Sequence, residues 1–247
     1  MKYSFVFLFF ILVCLHVEAQ HIITDRPDQT EASSIVPVNS LQIEMGFISE
    51  RINQGEEKSV AFPSTLLRYS FNDLIELRVF NQYENYSSSI QNGSDKGLGD
   101  LEIGGKIQVF RRDSCVTEVA FIAHAVLPTA KTSLSNKTLG VITKLSVSHS
   151  LSNRLSIGYN LGYSFLDKTH AFTYSLALGL SLTDKIGCYI EPFGIYSENG
   201  FFESNFDGGF TYLLKQNLQL DASYGFGLNH TMNYIAFGFS WNIANLF

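Results

Sequence analysis

Apolar and polar side chains alternate with a period of two residues along most of this chain. Between residues 98 and 110, one face carries Leu101, Ile103, Ile107 and Val109, and the other carries Asp100, Glu102, Lys106 and Gln108. Strict alternation is typical of a β-strand, whereas a helix would repeat every 3.6 residues. The pattern recurs in about twelve segments of roughly ten residues, as in the strands of transmembrane β-barrels.

Turn residues separate these segments in a regular order. Short turns follow every second segment, at Asn72-Asp73, Arg112-Asp113, Ser152-Asn153, Asp184-Lys185 and Gln216-Asn217. Longer polar stretches, such as Ser87–Gly97 and Thr129–Lys137, separate the others. Outer-membrane barrels keep short turns on the periplasmic side and longer loops outside. The sequence therefore predicts an all-β fold, a single antiparallel transmembrane β-barrel of about 12 strands over residues 39–247.

A soluble β-sandwich or a lipocalin-like barrel would also alternate. Here, however, the polar face carries charges and glycines, while nearly every apolar face is rich in Leu, Phe, Ile and Tyr. The composition agrees, since 14% aromatic residues and 19 Gly against 5 Pro favour strands. A closed barrel also leaves no unpaired strand edge in hydrocarbon. These features favour the membrane barrel.

The first residues have the order of a secretory signal peptide. Lys2 precedes an apolar run over residues 5–13, and Val17-Glu18-Ala19 ends in a small residue. The run is shorter than a membrane-spanning helix requires, which disfavours the alternative of a retained anchor. No small residues lead into Cys14, so a lipid anchor is not expected there. We predict a signal peptide over residues 1–19 and localisation in the outer membrane of a Gram-negative bacterium.

Charge and cysteine content narrow the choice of partners. The net charge of −6 provides no basic surface, so nucleic acid is not an expected partner. Cys188 falls on an apolar face and Cys115 in a turn, so a disulfide between them is not expected. The expected partners are outer-membrane lipid, a small-molecule solute, and the outer-membrane insertion machinery, which would bind the C-terminal strand ending in Phe247.

If the apolar faces meet lipid, the charged residues of the strands face the lumen. The predicted lumen-lining residues are Glu76, Arg78, Asp100, Glu102, Lys106, Glu118, His124, Lys144, Glu191 and Asp221. They could form cross-strand ion pairs that fill a narrow barrel, which is the interpretation we favour. They could instead line a selective conduit, as rings of charge do in pores.

The sequence contains no convincing catalytic or metal-binding pattern. His124 and Glu118 are six residues apart, about 20 Å along a strand, which is too far for a catalytic dyad. His149 is predicted on the lipid face, and His21, His170 and His230 lack metal-ligand spacing. We therefore predict no catalytic, cofactor or metal residues. An outer-membrane lipid hydrolase is the least favoured alternative.

The polar stretch Thr24–Pro37 precedes the first strand and has a proline near each end. It could be a solvated periplasmic extension. Because it lies directly against the first strand, it could instead fold into the barrel mouth. The candidate plug residues over 20–38 are Asp25, Arg26, Asp28, Gln29 and Glu31.

This stretch also carries a resemblance. Asp25-Arg26-Pro27-Asp28-Gln29-Thr30-Glu31, then Val36-Pro37 and residues 41–47, resemble the start of the outer-membrane family named for the MetA pathway of phenol degradation. Residues 72–78 and 97–101 resemble that family's second hairpin and next strand. The resemblance covers the mature chain and points to a Bacteroidetes-type member. It implies a barrel that passes small molecules, with hydrophobic or aromatic ones as candidates, and it supplies no catalytic residues.

These observations together predict a passive outer-membrane channel or transporter that takes up small molecules and needs no cofactor. The alternative is a plugged structural or binding barrel that acts through its extracellular loops.

Overall fold

The structure of the protein is a computed structural model that describes residues 22–89, 93–112 and 116–244. The predicted signal peptide over 1–19, together with His21, Cys115 and Phe247, lies outside the described residues. The expectations about them stay predictions.

Thirteen β-strands make up most of the described chain, joined by turns, loops and one single-turn 3₁₀ helix, Asn53–Gly55. They are β1 Leu41–Ile52, β2 Glu57–Ser70, β3 Ile75–Ser88, β4 Gly93–Leu98, β5 Leu101–Phe110, β6 Thr117–Leu127, β7 Gly140–Ser150, β8 Leu155–Leu166, β9 Thr169–Ser181, β10 Ile186–Ser197, β11 Phe202–Lys215, β12 Leu218–Gly227 and β13 Met232–Ile243.

The strands form one closed antiparallel ring. Apart from β4 and β5, strands that are consecutive in the chain pair with one another, and β1 closes the ring against β13, from Leu41 opposite Ile243 to Ile52 opposite Met232. Both β4 and β5 pair with β3, along its second and first halves respectively, so together they occupy one position in the wall. The ring therefore has twelve strand positions, and the predicted barrel of about 12 strands is confirmed.

The barrel has apolar side chains outside and charged side chains inside. Leu176 is 41% exposed and Phe237 49% exposed, whereas Arg68, Lys106 and Glu191 are fully buried. A soluble β-protein would bury the first kind and expose the second. Alternation along each strand places one set toward lipid and the other toward the lumen, which is the arrangement of outer-membrane barrels. Nowhere does the described chain contain a helix of the length and apolarity needed to cross a membrane.

Four of the five predicted short turns lie at the end of the barrel where β1 begins and β13 ends, which we call the periplasmic end; they are Asn72-Asp73, Ser152-Asn153, Asp184-Lys185 and Gln216-Asn217. Asp113 of the fifth turn lies outside the described residues. At the other end, residues 128–139 form a long loop, as expected. The predicted loop Ser87–Gly97 is shorter, because β3 continues to Ser88 and pairs with β4 through Ser87–Ser94 and Ser88–Gly93. The alternation pattern missed this extension because polar residues occupy both faces of the hairpin beyond the apolar belt.

A charge on the outer face tests this orientation. We expect Leu176→Arg, midway along the lipid-facing side of β9, to lower the free energy of unfolding in lipid vesicles by about 2–4 kcal/mol. Leu182→Arg, on the same face at the periplasmic end, should cost only about 0–1 kcal/mol, because arginine there reaches water. Denaturant titration of the refolded barrel measures both. Equal effects would contradict the assigned membrane depth.

Candidate functional site: the occupied lumen

Residues 22–38, which we call the N-terminal segment, lie inside the periplasmic half of the barrel. The segment begins at Ile22, whose N–H donates to the Gln216 carbonyl in a periplasmic turn at 3.3 Å. It contacts mid-barrel side chains at Gln29 and Thr30, and it returns to the periplasmic end, where Val38 bridges to Ser70. Its hydrogen bonds reach β1, β2, β3, β5, β6, β7, β8, β9, β10 and β12. The segment therefore fills the lumen at this level.

Arg68 of β2 joins two wall strands to the segment. Its guanidinium lies 2.8 Å from Glu44 and 2.8 Å from Glu76, and it also donates to the Ser34 carbonyl at 3.1 Å. Leu67 faces lipid, so alternation along β2 turns Arg68 inward. Such a charge is tolerated in the interior because nearly all its donors meet an anionic or carbonyl oxygen.

Asp25 is the segment's counterpart to these cations. Its carboxylate lies 2.6 Å from Arg78, 3.1 Å from Lys106 and 3.5 Å from Arg68, and it accepts a hydrogen bond from the Ala32 N–H at 2.8 Å. Burial alone would raise the pKa of Asp25, but the three positive charges outweigh it and hold that pKa well below its ordinary value. Asp25 is therefore an ionised carboxylate bound by three cations.

Glu31 makes a second set of contacts higher in the lumen. Its carboxylate lies 2.5 Å from Arg78 and 2.6 Å from Lys144, while Asn160 and Ser146 bind its backbone. Burial opposes ionisation here as well, yet the charges of Lys144 and Arg78 lower the pKa of Glu31 to about 2. The segment thus places two carboxylates against four cations of the wall.

Arg26 points away from this cluster, toward β12. Its guanidinium lies 2.9 Å from Asp221 and covers Gly46 and Gly238, which are paired directly between β1 and β13. A Cβ at either glycine would overlap the guanidinium. The two glycines therefore provide the flat surface against which Arg26 packs.

The turn of the segment meets an acidic part of the wall. Glu191 accepts hydrogen bonds from the Gln29 N–H at 2.6 Å and from the Thr30 hydroxyl at 2.5 Å, and it is paired directly with Asp207 of β11. Asp28 is half-buried beside these groups. Its withdrawal from water, followed by the charges of Glu191 and Asp207, raises its pKa well above the ordinary value.

Most of the predicted lumen residues contact the segment directly; they are Glu76, Arg78, Lys106, Glu118, Lys144, Glu191 and Asp221. Glu102 and His124 are one contact removed, since His124 binds Glu102 at 2.8 Å and accepts from Arg78 at 3.0 Å. Asp100 lies apart, accepting hydrogen bonds from Ala130 at 2.9 Å and Asn136 at 2.7 Å of the long loop. It anchors that loop because it sits at the break between β4 and β5.

Sequence reasoning did not single out Arg68, Glu44 or Asp207. Arg68 could have been predicted as a lumen residue, because it follows the apolar Leu67 in β2 and alternation places the two side chains on opposite faces of the strand. It also pairs in register with Gln42 of β1. The contact between Arg68 and Asp25 could not have been predicted, because a segment without strand periodicity contains no sequence signal for its position.

Two cavities open above the segment, toward the extracellular end. One of about 310 Å³ is lined by Glu50, Tyr174, Phe193, Glu203, His230 and Met232 among others. The second, of about 320 Å³, includes Ile48, Leu66, Phe80, Glu102 and Ile142. Gln29 and Lys144 border both. We call these cavities the vestibule; its walls mix apolar and charged side chains.

The described residues contain no group of His, Cys, Asp and Glu side chains arranged to hold a metal ion. His149 lies on the outer face, 2.8 Å from the Thr117 hydroxyl and 3.5 Å from that of Tyr159. Within the part of the chain that the structure describes, these contacts bring it neither a serine nor a carboxylate, so they form no Ser/His/Asp site.

Removing Arg68 should be severely destabilising. Arg68→Ala leaves Glu44 and Glu76 buried without their cation, and we expect a loss of about 3–5 kcal/mol in the free energy of unfolding. Arg154→Ala, at an exposed periplasmic turn, should stay within about 0.5 kcal/mol. The temperature at which the folded band disappears in heat-modifiable gel electrophoresis ranks the variants. A similar midpoint for both would contradict the role of Arg68.

Asp28→Asn should stabilise the barrel in a pH-dependent way. The folded-state pKa of Asp28 is raised, so folding loses stability as pH rises above the unfolded value near 4. The amide removes that loss. We expect a higher unfolding midpoint for the variant at pH 7.5 and an unchanged one below about pH 4. Asp184→Asn, in an exposed turn, is the matched control. A lower midpoint for Asp28→Asn at pH 7.5 would refute the assignment.

The fold is shared with solved outer-membrane proteins. The NanC porin superposes with a TM-score of 0.57 at 7% sequence identity, covering 80% of this chain and 98% of that one. The KdgM porin in complex with disordered oligogalacturonate gives 0.56 at 10% identity, again over 80% and 98%. The translocator domain of the autotransporter NalP from Neisseria meningitidis gives 0.53 at 9%, over 83% and 89%. At such identities the likeness concerns the fold alone.

No curated protein sequence gives a significant match. A family profile does: that described as "Putative MetA-pathway of phenol degradation" matches residues 24–243. The match begins within the N-terminal segment and ends at the last residue of β13, so the lumen-filling residues and the wall belong to one family unit. The chain is therefore a member of the MetA-pathway phenol-degradation family, with the barrel fold of outer-membrane porins.

Proposed function

We propose that the protein is a passive outer-membrane channel for small molecules, and that the N-terminal segment is its plug. The observation that carries the proposal is the position of this segment inside the barrel, directly below an open vestibule. The protein would act in the outer membrane of a Gram-negative bacterium, surrounded by lipid. Solutes would cross by diffusion without catalysis or a cofactor.

The contacts of the segment suit a plug that can be displaced. Apart from the buried side chains of Ile35 and Val36, they are mainly ion pairs and hydrogen bonds, and the vestibule reaches their upper edge at Gln29 and Lys144. Water can replace such contacts one by one, whereas a tightly packed apolar core would have to open at once. Residues 22–38 precede the first wall strand and can leave without breaking the strand ladder.

The vestibule supports small, partly apolar solutes. Ile48, Phe80 and Phe193 offer apolar surface, while Lys144 and Glu102 offer charge. A wall of this mixed kind can bind a small ring or chain through one apolar face and one polar group. Hydrophobic or aromatic solutes, which the family resemblance suggests, fit this description.

A plugged structural or binding barrel is the second candidate. It is favoured by the extent of the buried ionic network, which would hold the segment permanently if its contacts never opened together. Such a protein would act through its extracellular loops, of which 128–139 is the longest and is anchored by Asp100.

An engineered disulfide that holds the N-terminal segment against the wall distinguishes the channel from the plugged structural barrel. The Ser33 and Ser148 hydroxyls are 2.5 Å apart, so Ser33→Cys with Ser148→Cys, in a background with Cys115→Ser and Cys188→Ser, should form a disulfide between segment and wall. In planar bilayers we expect channel openings from the reduced protein and none from the oxidised one, because the lock holds the segment inside. Adding a reductant should restore the openings.

Two further variants complete the test. Arg26→Glu places a carboxylate against Asp221 and should raise the open fraction, whereas Arg154→Glu at an exposed turn should not. Openings that persist in the oxidised protein would show that solutes bypass the segment. An absence of openings from every form, Arg26→Glu included, would favour the structural barrel.

A further inference from the structure

The carboxylate of Asp25 occupies what is, chemically, an anion-binding site. Three cations from adjacent wall positions converge on it: Arg68 of β2, Arg78 of β3 and Lys106 of β5, with at most 2% of each residue exposed. Guanidinium groups bind carboxylates through directed donors, and an ammonium adds a compact charge. All three belong to the wall, so the site remains when the segment leaves.

A charge count shows what the segment contributes. In this cluster the wall supplies four cations, Arg68, Arg78, Lys106 and Lys144, against two carboxylates, Glu44 and Glu76. Four minus two leaves two positive charges, and Asp25 and Glu31 of the segment neutralise both. Buried charges without partners are costly. Departure of the segment is therefore easiest when another anion takes its place.

The approach to this site runs through the vestibule. Lys144 borders both cavities and binds Glu31, while Arg78 lines the second cavity and binds both segment carboxylates. An anion that enters from the extracellular end would meet Lys144 first, then Arg78, and then the buried pair Arg68 and Lys106. These cations lie in order of increasing depth along one path.

We propose that the Arg68, Arg78, Lys106 and Lys144 cluster is the solute site of the channel, that it selects small carboxylates, and that Asp25 and Glu31 occupy it as internal substitutes when the channel is closed. This rests on the proposed function, since it requires the segment to move. A solute carboxylate and the segment compete for the same donors. Binding of the solute therefore shifts the population toward the open form.

The site itself can be tested without transport, by chemical rescue. Asp25→Ala keeps Cβ and removes only the carboxylate group, so the three cations lose their anion and formate matches the vacated space. We expect sodium formate to restore about half or more of the loss in the thermal unfolding midpoint, because a ligand bound only to the folded state stabilises it. Sodium chloride or formamide at the same concentration should not. Asp25→Asn, whose amide fills the space, should show no formate effect. Equal midpoints of Asp25→Ala in formate and chloride would overturn the proposal.

Selectivity is measured on the unmodified chain, so this experiment does not depend on the folding of Asp25→Ala. Benzoate and benzamide have nearly the same size and shape and differ in charge. In liposomes at pH 7.5, we expect the protein-dependent uptake of benzoate to exceed that of benzamide about tenfold, since charge-assisted hydrogen bonds distinguish them. Lys144→Gln, at the half-buried entrance of the site, should reduce that ratio.

The outcomes separate this inference from the proposed function. Equal protein-dependent uptake of both solutes, or a preference for benzamide, would overturn carboxylate selection while leaving a channel. Uptake of neither solute, together with an absence of openings in planar bilayers, would contradict the channel itself.

Discussion

The structure depends on the neutralisation of buried cations by carboxylates from two sources. Arg68 and Arg78 meet Glu76 on the wall, and both also meet Asp25 on the N-terminal segment. Neither source alone balances the charge of the cluster. In a low-dielectric interior an unpaired charge is far costlier than a missing apolar contact. The position of the segment and the order of the wall are therefore set by the same interaction.

This dependence explains why the lumen is polar while the exterior is apolar. Lipid accepts no hydrogen bonds, so every strand must be paired and every charge must face inward. A barrel of twelve strands is wider than its own side chains can fill. The N-terminal segment occupies the remaining space on the periplasmic side, and the vestibule stays open on the other. That combination gives a barrel whose lumen is closed on one side by its own chain.

The glycines of the closing strands show how backbone and side chain cooperate. Gly46 and Gly238 are directly paired where β1 meets β13, and Arg26 covers both before reaching Asp221. A larger residue at either position would displace the guanidinium. The contact between the segment and the β1–β13 pair thus depends on the two glycines, which leave room for the guanidinium, as well as on the ion pair with Asp221.

The sequence by itself determined the barrel: alternation over Leu101–Phe110 and its repeats, with regular turns, specifies strands, their faces and their number. That information is local, because the identities of neighbouring residues determine which face of a strand is apolar and which is polar. Alternation did not predict the extended hairpin of β3 and β4, because both of its faces are polar. It also grouped Asp100 with the lumen residues, although Asp100 binds the long loop. Only the tertiary structure brought Asp25 to Arg68, Arg78 and Lys106. Thr24–Pro37 has no period, and its place depends on charges that lie up to 195 residues away in the sequence, as in the pair Arg26–Asp221.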